Sequence, residues 1–224
     1  MKPETAIVAG LMIGAAGLLV IAGRQAMPAY VGEEYAPEPE AAPEEGAEES
    51  AAAGIWRRIV DGVLPVNFDM ENANLQAFLT MIRNAEGTAG RDGYMMLFGG
   101  TLFGSFADHP RIKITAKSGS RSITSTAAGA YQILERTWDE AARALSLPDF
   151  SPESQDVAAA WLIRRRGALR DAMEGRLDAA IAKCAKEWAS LPGSPYGQPV
   201  ISIDKARRLF AEAGGVATDR SVYA

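Results

Sequence analysis

The stretch Asn74-Leu-Gln-Ala-Phe-Leu-Thr-Met-Ile-Arg-Asn-Ala-Glu-Gly-Thr88 decides the fold, because it combines a helical pattern with a stop signal at each end. Apolar side chains recur in it at helical spacing and predict one buried face, formed by Leu75, Phe78, Leu79 and Ile82. Asn74 suits an N-cap, and Gly87 suits the position after the last turn. The pattern therefore predicts a short amphipathic helix with Glu86 at its C-terminal edge.

Glu86 would lie at the negative end of this helix, where the helix dipole disfavours a carboxylate anion. Neighbouring apolar side chains disfavour the anion further by desolvation. Both effects raise the pKa of Glu86, so we expect a protonated acid near neutral pH. Such an acid can donate its proton to a glycosidic oxygen. Taken alone, the spacing favours an ordinary surface glutamate near a helix end, because a helix followed by Glu-Gly is common; the motifs downstream change this interpretation.

Further motifs follow this helix in a fixed order. They are Asp108-His-Pro-Arg111, Ser125-Thr-Ala-Ala-Gly-Ala-Tyr-Gln132, Asp149-Phe-Ser-Pro-Glu-Ser-Gln-Asp156, Trp188-Ala-Ser-Leu-Pro-Gly193 and Tyr196-Gly-Gln198. Together with Glu86-Gly-Thr88, they resemble the bacteriophage lambda endolysin family of lysozyme-like lytic murein transglycosylases. The resemblance covers Asn74 to Gly215 and carries several separate motifs at similar spacings.

The resemblance implies an α+β domain over residues 74–224, in which a small antiparallel sheet lobe and a helical lobe enclose a saccharide groove. It also implies cleavage of the MurNAc-GlcNAc β-1,4 bond with formation of 1,6-anhydro-MurNAc ends, without metal or cofactor. Glu86 maps onto the sole catalytic acid/base of the family. The substrate-binding positions that the motifs imply are Thr88, Tyr131, Gln132, Tyr196 and Gln198. Ser194-Pro195 departs from the family pattern before Tyr196.

Two other functions stay open. A muramidase that uses water would need a second carboxylate, and Asp92 and Asp108 are the candidates. Asp108-His109-Pro110 more readily predicts a turn in which Asp108 accepts backbone hydrogen bonds and His109 is structural. A non-catalytic peptidoglycan-binding or virion structural protein is the alternative from a different class.

Residues 1–27 are expected to form a membrane anchor. Thr5 to Gly23 carries no charge over 19 residues, enough for a helix to cross most of a bilayer core. A cleavable signal peptide is the rival interpretation, although its apolar core is usually shorter. Gly10 and Gly14 form a small-xxx-small pair that permits helix self-association. Because the resembled enzymes act on cell wall, we expect the catalytic domain outside the cytoplasm.

Residues 28–54 are expected to be a disordered linker, and residues 55–73 a connecting segment. From Met27 to Ala53 the chain has eight glutamates, no basic residue and many Pro and Ala, a composition that cannot bury apolar surface. From Asn74 onward it has 19 basic and 16 acidic residues, against 4 and 12 before it. This mild positive balance suits an anionic polymer but lacks the dense basic stripe of nucleic-acid binders.

One cysteine and one histidine, Cys184 and His109, exclude an intrachain disulfide and a multi-histidine metal site. Within the domain, Tyr94–Phe98 and Arg111–Thr115 are expected to be paired strands, and Lys117–Ser125 a mobile loop over the cleft. The expected helices span Glu135–Leu145, Ser151–Arg166, Ala168–Met173, Leu177–Trp188 and Ser202–Ala213. Three tryptophans are expected in the core: Trp138, Trp161 and Trp188.

Overall fold

A computed structural model of the chain describes residues 68–118, 121–197 and 199–219. Its central element is α1 (Ala73–Ala85), the helix that the opening stretch predicts. The predicted apolar face is buried, since none of its four side chains is more than 1% exposed. This face belongs to the main hydrophobic cluster, and α1 packs against three of the other helices.

The N-terminus of α1 is capped by Asn72, whose side chain accepts a hydrogen bond from the backbone N–H of Leu75 at 3.0 Å. The predicted cap, Asn74, is therefore wrong by two residues. Asn74 lies in the first turn and holds the C-terminal segment instead. Its amide donates to the carbonyl of Met173 at 3.2 Å and accepts from the N–H of Val216 at 2.8 Å. Both asparagines are suitable caps, but only Asn72 caps the helix, because the side chain of Asn74 is hydrogen-bonded to the C-terminal segment.

The C-terminus of α1 ends in a Schellman motif with Glu86 as the C-cap. Gly87, at φ 74°, donates its N–H to Asn84, and Thr88 donates its N–H to Arg83. This confirms Gly87 as the residue after the last turn. The motif fixes the direction in which the backbone leaves the helix, and so it fixes where the Glu86 side chain emerges.

Five further helices complete the described part of the helical lobe. They are α2 (Glu135–Leu145), α3 (Pro152–Arg165), α4 (Leu169–Met173), α5 (Leu177–Cys184) and α6 (Ile203–Glu212). Ser151 caps α3 as predicted, with Pro152 in its first turn. The helix expected to reach Trp188 ends earlier, at Cys184, because the following residues form tight turns. In contact with α1 lie α3, α4 and α6.

The sheet is a two-stranded antiparallel hairpin of β1 (Ile114–Ser118) and β2 (Arg121–Ser125). The expectation of a mobile loop over Lys117–Ser125 is therefore wrong, since this range supplies the end of β1 and all of β2. Alternation within β2 places Ile123 opposite Ala116, and both pack near Phe98. A single apolar residue between polar neighbours obscured the period of two in the sequence.

The expected strand over Tyr94–Phe98 is also absent from the described residues. Gly93–Met95 forms one 3-10 turn instead. Met96 and Leu97 make isolated bridges, to Leu102 and Ala128. Five adjacent apolar or aromatic residues without alternation allow a buried turn as readily as a strand. Helices beside a small antiparallel sheet nevertheless confirm the α+β class.

The aromatic core lies between α2 and α3. Phe150 contacts Trp138 and His109 with ring centroids 4.7 and 4.9 Å apart, both edge-to-face. Trp138 and Trp188 are buried as expected, at 2% and 3% exposure. Trp161 packs against the core but is only partly buried, and the guanidinium of Arg165 lies over its ring, 5.0 Å from the centroid.

The C-terminal segment folds back across the helical lobe. Thr218 donates its N–H to the carbonyl of Gly175 at 2.8 Å. Asp219 accepts hydrogen bonds from the N–H groups of Leu177 and Asp178 at 2.9 and 2.7 Å, and so caps the N-terminus of α5. With the Val216 bond to Asn74, these contacts join the end of the domain to the start of α1.

The predicted anchor (1–27), the linker (28–54) and all but the end of the connecting segment (55–73) lie outside the described residues. The same holds for Gly10 and Gly14. Across ranges 68–118, 121–197 and 199–219, no helix has both the length and the apolar character needed to cross a bilayer.

Gly93→Ala is expected to destabilise the domain by about 2 to 3 kcal/mol, because a Cβ there would lie 1.7 Å from the carbonyl oxygen of Thr88. Chemical denaturation of wild type and variant measures the difference. Gly90→Ala is the matched control in the same loop, since nothing lies within 4 Å of its Cβ position. Equal stability of the two variants would contradict the close approach.

Candidate active site

Glu86 lies at the end of α1 and is 2% exposed. Ser190, from the turn that follows α5, donates its hydroxyl proton to Oε1 of Glu86 at 2.5 Å. Ser190 is itself buried, at 5% exposure. Within the described residues, this is the one hydrogen bond that the Glu86 carboxyl makes. The site therefore contains a buried acid with a single hydroxyl partner.

Burial raises the pKa of Glu86 from 4.5 to about 8, and the hydrogen bond from Ser190 opposes part of that rise. Desolvation is the larger effect, because the anion loses more hydration than one hydroxyl replaces. Glu86 is accordingly protonated at neutral pH. The sequence predicts this direction, and the structure attributes it chiefly to the apolar surroundings.

Thr88, two residues after the acid, is fully buried. Its hydroxyl lies 3.1 Å from the carbonyl of Arg83 and 2.5 Å from that of Ala130. Thr88 therefore ties the end of α1 to the segment before Tyr131. Its predicted contact with substrate stays a prediction.

Tyr131 is also internal, at 1% exposure. Its hydroxyl donates to Oδ1 of Asp156 at 2.7 Å, and its carbonyl accepts from Nε1 of Trp188 at 3.1 Å. The structure thus places Tyr131 beneath the site, between α3 and the turn that carries Ser190. Its predicted sugar contact stays a prediction, and these bonds give it a scaffolding role.

Asp156 is the centre of a partly buried hydrogen-bond network that sequence reasoning missed. Tyr94 donates its hydroxyl to the same carboxylate oxygen at 2.8 Å, and Arg83 donates to the Tyr94 hydroxyl at 3.1 Å. Burial raises the pKa of Asp156, while the two phenol hydrogen bonds oppose the rise. Arg83 belongs to the last turn of α1, so this network braces the helix one turn before Glu86.

Gln132 adopts a left-handed backbone at φ 47° and is 6% exposed. Its side-chain amide donates to the carbonyls of Gly129 and Met96, at 3.0 and 3.2 Å. Its amide hydrogens therefore hold the loop from Gly129 against the 3-10 turn. A contact from this side chain to substrate stays a prediction.

Tyr196 is partly exposed, in the loop that follows Ser190. Its hydroxyl donates to the carbonyl of Lys186 at 2.9 Å. Gln198, the other predicted sugar-binding residue of this loop, lies outside the described residues. The predicted contact of the Tyr196 ring with a pyranose also stays a prediction.

The two candidates for a second carboxylate differ in their surroundings. Asp108 accepts hydrogen bonds from the N–H of His109, from Nε1 of Trp138 and from the guanidinium of Arg111. Asp92 is exposed, and its carboxylate makes no hydrogen bond within the described residues. Neither carboxylate is hydrogen-bonded to Glu86.

His109 has a structural environment, as predicted. It is 2% exposed, with Nε2 at 2.9 Å from the carbonyl of Ile133 and Nδ1 accepting from the N–H of Arg111 at 3.1 Å. Burial lowers the pKa of His109. The neutral ring with a proton on Nε2 satisfies both bonds. Across the described ranges, no group of three or more His, Cys, Asp or Glu side chains could hold a metal ion.

The structure is an α+β domain that buries one protonated carboxylic acid at the end of its central helix, the arrangement expected of a lysozyme-like domain. A family model described as Endolysin matches residues 76–217. The endolysin of Escherichia phage lambda is 42% identical over 157 residues, covering 67% of this chain and 98% of that protein. The endolysin of Escherichia phage P2 is 41% identical over 158 residues, covering 64% and 94%.

Two solved structures of bacteriophage lambda lysozyme also match this chain. Bacteriophage lambda lysozyme in complex with a chitohexasaccharide matches with a TM-score of 0.61 and 43% identity, over 65% of this chain and 97% of that one. A second structure of lysozyme from bacteriophage lambda gives 0.57 and 42%, with the same coverage. The chain therefore belongs to the endolysin family of peptidoglycan-degrading enzymes, which confirms the predicted family and lysozyme-like fold.

Glu86→Gln is expected to stabilise the fold in a pH-dependent way. Below about pH 4.5 the carboxyl is protonated in both the folded and unfolded states, so the variant gains nothing from the pKa difference. Between about 4.5 and 8 only the unfolded chain releases its proton, so wild-type stability falls with rising pH. The variant lacks this loss, which amounts to roughly 3 kcal/mol at pH 7.

Chemical denaturation across this pH range measures the difference. Glu71→Gln, which removes an exposed carboxyl before the same helix, is the control. A constant difference between Glu86→Gln and wild type over the whole range would contradict a buried, protonated Glu86.

Proposed function

We propose that this enzyme is a lytic transglycosylase that cleaves the MurNAc-GlcNAc β-1,4 bond of peptidoglycan with Glu86 as its single general acid and base. The observation that carries the proposal is the state of Glu86: buried, protonated at neutral pH and bonded to one hydroxyl. That lambda lysozyme has been solved with a chitohexasaccharide supports a glycan as ligand.

The reaction needs only one carboxyl group. Glu86 gives its proton to the glycosidic oxygen as the bond from that oxygen to C1 of MurNAc breaks. The C6 hydroxyl of the same MurNAc then attacks C1, and the Glu86 carboxylate accepts the hydroxyl proton. The products are a free GlcNAc 4-hydroxyl and a 1,6-anhydro-MurNAc end. No water is consumed, and Glu86 returns to its protonated state.

A muramidase would require a second carboxylate close to Glu86. Its second carboxylate would stand about 5 to 5.5 Å from Glu86 in a retaining enzyme, or about 6.5 to 9.5 Å in an inverting one. Asp108 is held in a structural network with Arg111 and Trp138, which favours a role in the turn rather than in catalysis. This bonding is why we prefer the single-acid reaction.

Mass analysis of digested peptidoglycan tests the proposal. We expect glycan fragments that end in anhydro-MurNAc and are one water lighter than hydrolysed fragments. Glu86→Gln, nearly isosteric, is expected to lose cleavage by about a thousandfold or more while retaining glycan binding. Asp92→Asn and Asp108→Asn are the matched controls, and each is expected to keep the anhydro products.

Each outcome that contradicts the proposal identifies a different alternative. Reducing MurNAc ends would identify the muramidase. Loss of chemistry in Asp92→Asn would identify the second carboxylate. Full activity in Glu86→Gln would remove Glu86 from the reaction, and binding without cleavage by the wild type would identify a non-catalytic peptidoglycan-binding protein.

We further propose that residues 1–27 anchor the enzyme in a membrane, with the catalytic domain outside the cytoplasm on the linker of residues 28–54. The uncharged run from Thr5 to Gly23 and the acidic run that follows support this arrangement. Helix contact through Gly10 and Gly14 would allow self-association.

Deletion of residues 1–27 tests the anchor. The full chain is expected in the membrane fraction and resistant to extraction with salt, whereas the shortened chain is expected in the soluble fraction. External protease should digest the linker of the full chain in spheroplasts. A full chain that fractionates like the shortened one would contradict the anchor.

A further inference from the structure

Ser190 is the one side chain of the described residues that is hydrogen-bonded to the Glu86 carboxyl. The two residues are 104 positions apart in the chain, and both are nearly inaccessible to solvent. The bond joins α1 to the turn after α5, on which none of the predicted site residues lies. The sequence motif Trp188-Ala-Ser190 contains it without indicating a role.

The turn that carries Ser190 is held on both sides. Before it, the Trp188 indole donates to the Tyr131 carbonyl at 3.1 Å. After it, the N–H of Ile201 donates to the carbonyl of Ser190 itself at 2.9 Å. Leu191 closes the turn by donating its N–H to Trp188 at 3.1 Å. The hydroxyl is therefore presented to Glu86 by a backbone that is already fixed.

This bond distinguishes the two oxygens of the carboxyl group. An oxygen that accepts a hydrogen bond serves as the carbonyl-like oxygen of the neutral acid, and so the acidic proton is favoured on the other one. Here Oε1 accepts from Ser190, which leaves Oε2 to carry the proton. The same bond becomes charge-assisted when Glu86 ionises, and charge-assisted bonds are the stronger ones.

We propose that Ser190 is a positioning residue of the reaction, whose hydroxyl holds Oε1 so that Oε2 gives the proton to the glycosidic oxygen and later takes it back from the C6 hydroxyl. The proposal rests on the proposed function of Glu86 as acid and base. Between the two proton transfers the carboxylate is an anion in an apolar site, and the Ser190 bond stabilises it during that interval.

Removal of the hydroxyl has a consequence whose sign is diagnostic. Ser190→Ala deletes a bond that favours ionised Glu86, so the pKa of Glu86 should rise above the wild-type value of about 8. A merely structural loosening of the site would admit water and lower that pKa. The direction of the shift therefore separates a positioning role from a packing role.

Carbon-13 NMR titration of the glutamate side-chain carboxyls measures this pKa, with Glu86→Gln used for assignment. We expect an upward shift in Ser190→Ala, an alkaline limb of the kcat profile at higher pH, and kcat lower by about 10- to 100-fold at its optimum. Ser190→Thr, which keeps a hydroxyl, is expected to restore most of the wild-type pKa and rate.

Two further variants serve as a substitute for Ser190→Ala and as a control. Ser190→Cys is nearly isosteric with a weaker donor and is expected to shift the pKa in the same direction by less, which keeps the test available should Ser190→Ala fail to fold. Ser154→Ala is the matched control, because it removes an equally buried hydroxyl that donates to Asp149 at 2.9 Å instead. It should leave the pKa of Glu86 unchanged.

An unchanged or lowered pKa of Glu86 in Ser190→Ala would overturn the proposal. This outcome is distinct from failure of the proposed function, which the products of the wild-type enzyme decide. Should those products carry reducing ends, the titration still shows whether Ser190 acts on Glu86.

Discussion

The rest of the site depends on the removal of the Glu86 carboxyl from water. An exposed carboxyl at this position would ionise below pH 5 and could not act as an acid at neutral pH. The helix end, the buried apolar face and the turn after α5 all contribute to that removal, and they come from distant parts of the chain. Burial of the neutral acid costs little, whereas burial of its anion costs several kcal/mol. The fold therefore holds Glu86 in the protonated form that the first step of the proposed reaction would consume.

Two hydrogen-bonded supports fix where that acid points. One is the network of Arg83, Tyr94 and Asp156, which fastens the last turn of α1 to α3. The other is Thr88, whose hydroxyl lies within hydrogen-bonding distance of the carbonyls of Arg83 and Ala130. The Thr88 hydroxyl is fully buried and the network is partly buried, so water competes little for these bonds. The acid is thus placed by the backbone and needs little adjustment of its own side chain.

Local signals in the sequence predict a large part of this structure. The apolar period of α1, the Gly87 stop and the Ser151 cap act over a few residues, and each is confirmed. The helix from Glu135 to Leu145 has the predicted bounds. These features depend on periodicity and capping, which a single sequence displays.

Features that depend on distant partners are the ones the sequence does not display. Asn72 rather than Asn74 caps α1, because Asn74 is engaged by Met173 and Val216. The hairpin, by contrast, is a local feature: Gly-Ser between β1 and β2 is a pair typical of tight turns, but the single apolar residue in β2, Ile123, hides the alternation that would predict a strand.

Motif similarity indicates which segments this chain shares with the family, but it does not show which of their side chains point into the protein. Tyr131 and Thr88 lie in such segments, yet both are turned into the protein. Ser190 and Asp156 also lie in shared motifs, but their hydrogen bonds, to Glu86 and from Tyr131, are apparent only in the folded structure.

The junction of Asn74 with Val216 has a consequence for how the domain can be carried. A helix of 13 residues is about 20 Å long, and the acid is at the end opposite this junction. Whatever the chain bears before residue 68 is therefore attached at the rear of the domain, near the place where Thr218 and Asp219 return. A tag or a solid support joined to the chain before residue 68 or after Asp219 would therefore leave the end of the domain that carries Glu86 free to meet an extended, immobile polymer.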